Sequence, residues 1–266
     1  MREAFDPDRS LWDAIAVEVR RLRECHGLSV SQLASRLRVD RSTVSRIEHG
    51  HRRLSPEQAE QLDIMWELRG LLKRLVRFAS ATDDGDWFTG LIEIEKDASL
   101  QRLWETLVVP GLLQTPDYAR ALIAAGKQEL EQSLERRLAR QTAVFDRKSA
   151  PRVSVILNWV ILEHHVGSVD VMKGQLAHLL ELGERPNVHI RIMEKTSGAH
   201  MGLDGSFRLL TVGGREIAFS SSPERGRLVL EPSDVWEYAV RYDQISNLAV
   251  PTGASRRLIE QTMEEL

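Results

Sequence analysis

Apolar positions recur every three or four residues through the first eighty positions of the chain. Over 11–25, Ile15, Val19 and Leu22 form one helical stripe while Arg20, Arg21 and Arg23 point elsewhere. Gly27 stops that helix, in the left-handed conformation glycine favours. Ser29 caps a short second helix carrying Leu33, Ala34 and Leu37. Arg38-Val39 make a turn, and Asp40 caps a third helix from Arg41 to about His49, with Val44 and Ile47 as its apolar face. Gly50 ends it. Ser55-Pro56 open a fourth helix, and apolar positions continue through Leu62, Met65, Leu68, Leu72 and Leu75. Thr82-Asp83-Asp84-Gly85-Asp86 has nothing to bury and marks a boundary.

Beyond it the period changes. Residues 87–99 read as helix, and Leu103 to Val109 as a strand broken by Pro110-Gly111. Thr115-Pro116 start another helix, and a longer one covers about 128 to 148. Val153, Val155 and Leu157 alternate, as do Val188, Ile190 and Ile192, with a helix capped by Ser168 and running to about Leu182 between them. Phe207 to Val212, Gly213-Gly214 and Arg215 to Phe219 predict a hairpin, since two glycines suit a turn with positive φ at both central positions. Ser233 caps a helix to about Leu248, and Ser255 caps a last one. The predicted architecture is an all-α helix-turn-helix domain over 1–80, a linker or connecting helix over 81–100, and an α+β domain with a mostly antiparallel sheet over 101–266.

Charge sharpens the picture. The chain of 266 residues carries a net −3, which excludes a protein that coats nucleic acid everywhere. Within 20–55, however, nine Lys/Arg face three Asp/Glu. A local basic cluster on a mildly acidic chain is the pattern of one nucleic-acid face attached to something else. No apolar run approaches the ~20 residues of a membrane span. The N-terminal MREAFDPDRS has no apolar core of a secretory signal, and a single cysteine, Cys25, excludes an internal disulfide framework. These features predict a cytoplasmic protein.

Two short helices joined by a tight turn place the second in a major groove. Ala34 is the small residue at their contact. The third helix hides Val44 and Ile47 and is expected to expose Arg41, Ser42, Thr43, Ser45 and Arg46. Arginine reads guanine O6 and N7 with two hydrogen bonds, and hydroxyls reach bases or phosphates, so these five are the candidate base contacts. Arg52 and Arg53 follow the helix and suit phosphate oxygens, as do the amides near Val30 and Ser31 at the start of the second helix. The partner implied is double-stranded DNA. A single recognition helix reads too few base pairs to find a genomic site, so a homodimer is expected.

These residues resemble the Xre-type, lambda-repressor-like helix-turn-helix family over about 12–76. The likeness rests on Leu28-Ser29, Gln32-Leu33-Ala34, the run Val39 to Glu48, and Gly50-His51-Arg52-Arg53. The chain departs from it at Val30, where many members carry glutamine, and at Arg38, where many carry glycine. Arg38 must then take a left-handed backbone, or the turn differs. The run Val109-Pro110-Gly111-Leu112-Leu113-Gln114-Thr115-Pro116-Asp117-Tyr118-Ala119 is similar to the WhiJ-type, antitoxin-like regulators, which join such a domain to a long C-terminal one. Arg137-Leu138-Ala139-Arg140-Gln141, Val166-Gly167, Gln175-Leu176, Pro186-Asn187-Val188 and Gly205-Ser206-Phe207 extend the likeness over nearly the whole chain. The chain departs from it at Asn158-Trp159-Val160-Ile161-Leu162, where many members carry an acidic residue near the strand end. The resemblance implies regulation of development or secondary metabolism, with a small partner protein encoded nearby. Physically, the run reads first as a bend: Pro110-Gly111 turns the chain and Thr115-Pro116-Asp117 restarts a helix.

No motif of catalysis is present: no His-Glu-x-x-His, no phosphate-cradling glycine loop, no Gly-x-Ser-x-Gly. Glu163-His164-His165 lacks ligand spacing, so neither a metal nor a cofactor is expected. Cys25 reads as packed, and Ser197 to Gly205 as a glycine-broken connection. The leading expectation is a DNA-binding transcriptional regulator whose C-terminal domain senses a partner protein or small molecule, not an enzyme. The alternative is an antitoxin-like module that chiefly holds a small partner and binds DNA for autoregulation.

Overall fold

The computed structural model describes residues 10–81, 94–126, 129–221 and 226–266. The boundary read at 82–86 and most of the helix read over 87–99 lie outside the described residues; 94–97 are helical. The chain forms two compact units, Met1–Ala98 with Thr211–Val235, and Ser99–Leu210 with Trp236–Leu266.

The first unit is built on five helices: α1 (Leu11–Cys25), α2 (Val30–Leu37), α3 (Arg41–Glu48), α4 (Pro56–Met65) and α5 (Leu71–Ala81). Ser10 caps α1 by accepting from the Asp13 amide at 3.1 Å, and Gly27 ends the helix at φ 65°. Ser29 with Gln32 and Ser55 with Gln58 form complete capping boxes. Asp40 occupies the cap position of α3, but its carboxylate makes no capping hydrogen bond. The helices enclose Ile15, Val19, Leu22, Leu33, Val44, Ile47, Leu62, Leu72 and Leu75. The apolar period that ran unbroken through Leu75 is in fact interrupted at 66–70. Glu67, Arg69 and Gly70 take φ of 53°, 52° and 81° there. Asp63 restarts the helix: its carboxylate accepts from the Leu72 and Lys73 amides, both at 2.8 Å. Periodicity alone misses such a corner because the apolar stripe is preserved across it.

The same unit includes β5 (Arg215–Ser220) and β6 (Arg227–Val229), an antiparallel pair with Phe219 opposite Leu228. The Gly213-Gly214 turn adopts φ of 61° and 84°, as a two-glycine hairpin requires. A Cβ on Gly214 would lie 2.7 Å from an Arg69 guanidinium nitrogen, the movable end of a long side chain, so it is the positive φ that asks for glycine there. Buried Glu18 of α1 pairs with Arg21 at 2.8 Å and with Arg215 at 3.7 Å, and Arg21 reaches Glu231 at 3.2 Å.

In the second unit β1 (Leu100–Glu105), β2 (Arg152–Asn158) and β3 (Val188–Met193) are parallel neighbours. Helices α6 (Pro116–Ala124) and α7 (Leu130–Phe145) cross from β1 to β2; the short α8 (Val160–Glu163) and α9 (Val169–Gly183) cross from β2 to β3. Such crossovers are what parallel pairing demands. β1 begins three residues earlier than its alternation suggested and ends at Glu105. The strand order is β3-β2-β1-β4-β5-β6, with β4 spanning Phe207–Val212. Thr106, just past β1, bonds Ser206, just before β4, which makes that pairing antiparallel. The sheet is therefore mixed and mostly antiparallel, with its parallel part confined to β1–β3. Leu103, Val155, Leu157, Ile190, Ile192, Met172, Leu176 and Ile259 share one core.

Helices α10 (Pro232–Leu248) and α11 (Thr252–Glu265) close the chain. Ser233 lies inside α10 rather than capping it, and Ser255 does not cap α11, whose cap position is Pro251. Ser255 is fully buried. Its hydroxyl accepts from the Ile192 amide at 2.9 Å and donates to the Val250 carbonyl at 3.2 Å, fastening α11 to β3.

Candidate nucleic-acid interface

The turn between α2 and α3 fixes what α3 presents. Arg38 takes φ 53° and ψ 47°, so a side chain occupies a left-handed position that glycine holds more cheaply. The Val39 amide donates to Ala34 O at 3.0 Å, closing the turn over buried Ala34. On α3, Arg41, Ser42 and Arg46 are exposed and Ser45 is half-buried. Thr43 departs from expectation. It is buried, because it shares with Ile47 a stripe one turn apart, and its hydroxyl lies 3.4 Å from the Arg52 guanidinium, which donates to it. Thr43 thus orients Arg52 instead of facing outward. Arg53 lies over the Trp12 ring, 4.9 Å from its centroid. Ser31 is exposed and Val30 half-buried at the start of α2.

Ion pairing separates two sets of arginines. Arg20 pairs with Glu24, Arg21 with Glu18 and Arg23 with Glu48. Arg23, expected to point outward, is buried: its Nε and Nη2 donate to the two Glu48 oxygens at 2.6 and 3.0 Å, and its Nη1 to Leu28 O at 2.8 Å. Glu48 holds the Arg23 guanidinium charged, raising its pKa. This fork clamps the end of α3 to α1, a role the sequence motif alone did not reveal. By contrast, among the described residues Arg38, Arg41, Arg46, Arg52 and Arg53 have no acidic partner. Two exposed histidines were also missed. His49 donates its Nδ1–H to Ser45 O at 2.7 Å, which leaves Nε2 facing outward, and His51 lies beside it with its ring nearly parallel.

The Val109–Ala119 run is held by amide side chains. Gln114 donates to Val109 O at 2.6 Å and accepts from Arg137 at 2.7 Å. Gln141 donates to Gly111 O and Gln114 O; Gln175 donates to Leu113 O and accepts from the Thr115 amide. The Tyr118 hydroxyl accepts from the Val109 amide. Arg137, Gln141 and Gln175, among the resembling positions, are therefore the partners that hold the bend. The glycine-broken stretch 197–205 is tied down as well: Trp104 Nε1 donates to Gly202 O at 2.8 Å, and a Cβ on Gly202 would lie 2.6 Å from that indole. Cys25 is exposed, not packed. Among the described residues no group of three His, Cys, Asp or Glu could hold a metal, and no helix is long and apolar enough to cross a membrane.

Residues 14–64 match the model of a helix-turn-helix domain. With the geometry above, this makes that segment a helix-turn-helix domain, the kind of domain that DNA-binding regulators carry. Residues 88–261 match the model described as Domain of unknown function (DUF5753), and the chain belongs to that family. No curated protein and no solved structure matches the chain.

Proposed function

We propose that the protein is a cytoplasmic, sequence-specific transcriptional regulator that binds DNA as a homodimer and uses its C-terminal region to sense a partner protein or small-molecule signal, without an enzymatic activity. The observation that carries the DNA half is the set of arginines on and after α3 that have no acidic partner among the described residues, beside a set on α1 that is neutralised by carboxylates. Arg41, Ser42, Ser45 and Arg46 face base edges; Arg52, Arg53 and the α2 amides near Val30 and Ser31 hold phosphates. The likeness to the WhiJ-type regulators supports the partner half.

Binding titrations on cognate and scrambled duplexes at several salt concentrations test it. Arg46→Ala should cost about 1–3 kcal/mol on the cognate site and relax one base position. Arg52→Ala or Arg53→Ala should weaken both duplexes alike and lower the salt slope by about one unit for each phosphate no longer held. Equal, small effects for all three arginines would leave only a solvated basic face. Light scattering of the free and DNA-bound protein checks the dimer, whose half-sites should lie about 34 Å apart or a multiple of that.

A further inference from the structure

Ser42, Ser45, Arg46 and His49 share one face of α3, at helical spacing, opposite buried Val44, Ile47 and Glu48. His49 is exposed and ends that face, at the position after the last helical residue. Gly50 then turns the chain at φ 68°, and the His51 and Arg52 amides both donate to Arg46 O, at 2.8 and 3.1 Å. This folds His51 back beside His49, the two rings within 11° of parallel and their centroids 6.5 Å apart.

A hydrogen bond inside this corner fixes what His49 offers. Ser45 O only accepts, so the 2.7 Å contact puts a proton on Nδ1. In the neutral ring the outward Nε2 then carries a lone pair and no proton. That lone pair repels a phosphate oxygen, and only the protonated ring donates to one. The His51 ring makes no hydrogen bond among the described residues, so its tautomer turns an N–H outward without gaining a proton. The charged groups that flank His49 are cations, Arg46 before it on α3 and Arg52 and Arg53 after the turn. Among the described residues neither ring has a carboxylate partner. Glu48 is turned inward onto Arg23, and Glu57 at the start of α4 accepts from the Ser55 hydroxyl.

We propose that His49 holds a phosphate of the DNA backbone through Nε2–H and takes up a proton in doing so, which links DNA binding to pH. Recognition helices read bases chiefly from their N-terminal part. His49 lies at the other end of α3, beside the arginines assigned to phosphates. The proposal rests on the DNA-binding reading of α3 and adds to it a proton. Histidine ordinarily titrates near 6.5, and an adjacent anion raises that value. The stabilisation is therefore present at low pH and is lost as pH rises through the value in the complex. A ring that gains about one unit takes up about half a proton at about pH 7, and binds about fivefold more weakly at about pH 8 than at about pH 6.

The test titrates the full chain with a random-sequence duplex of about 30 base pairs at low salt, where phosphate contacts dominate. Calorimetry in two buffers of different ionisation enthalpy counts the protons. The wild type should show that uptake and that slope. His49→Gln, with an amide N–H at any pH, should lose both and bind at about pH 8 at least as tightly as the wild type. His49→Lys, charged throughout, should do the same, and His49→Ala should be weak at both ends of the range. His51→Gln should keep the uptake. Both histidines are exposed, so every variant should keep its melting temperature. A merely solvated ring predicts the same uptake and slope in all of these proteins, and that result overturns the proposal. So does uptake kept in His49→Gln but lost in His51→Gln. An affinity that rises with pH in the wild type alone overturns it too, and assigns the neutral ring to a base amino group. A duplex bound without proton uptake sinks this proposal and leaves the DNA reading standing; a duplex that binds no form of the chain sinks both.

Discussion

Removing Glu48 tests whether the clamp between α1 and α3 holds the DNA-binding unit together. Arg23 is 8% exposed and Glu48 4% exposed, and Glu48 accepts two of the guanidinium's hydrogen bonds. Glu48→Ala leaves that charge buried with only Leu28 O and the exposed Glu24 beside it. Breaking a buried pair from one side costs about 3–5 kcal/mol. Against a total stability of about 5–15 kcal/mol this is a large share. For a unit of this size it should lower the melting temperature by at least about 12 °C. Glu48→Gln keeps one acceptor and should lose less. Replacing both partners with apolar residues, Arg23→Met with Glu48→Leu, should recover much of the single-variant loss, because no charge is then stranded. Thermal unfolding followed by circular dichroism, with DNA titration at a temperature where each variant is folded, measures both effects. A loss below about 1 kcal/mol in Glu48→Ala, or a double variant as unstable as the single, would refute the clamp.

Three further outcomes follow from the second unit. Gly202→Ala forces a Cβ against fully buried Trp104 and should destabilise by about 1–3 kcal/mol in urea unfolding; an unchanged midpoint would mean the loop yields freely. Gln175→Ala strands Leu113 O and the Thr115 amide and should cost about 1–3 kcal/mol per buried group left unsatisfied, read by the same assay. Burial holds His178 below its ordinary 6.5, against the opposing pull of Glu181 at 3.7 Å. The neutral ring is therefore favoured in the fold, and its contribution is complete above 6.5 and lost as pH falls through that value toward the lower folded one. His178→Gln should flatten the urea midpoint over that window, and an equal pH slope in both proteins would contradict the sign.

The sequence alone determined the helical part of this protein, because its signals are local. Ser29, Ser55-Pro56, Gly27 and Gly213-Gly214 each specify a cap or turn within four residues, and each is found where it was read. The outward placement of Arg41, Ser42 and Arg46 follows from the same 3.6-residue period. Tertiary structure decided what depends on distant partners. Period alone cannot tell that Thr43 turns under Arg52, or that Arg23 is buried, since Glu48 lies twenty-five positions on. Nor could it show that Ser255 serves β3 instead of its own helix, or that a corner at 66–70 interrupts a continuous apolar stripe. Strand direction was likewise open: alternation marks Val153 and Val188 as strands, but only the helices packed between them make the pair parallel and put β3 at the end of the strand order.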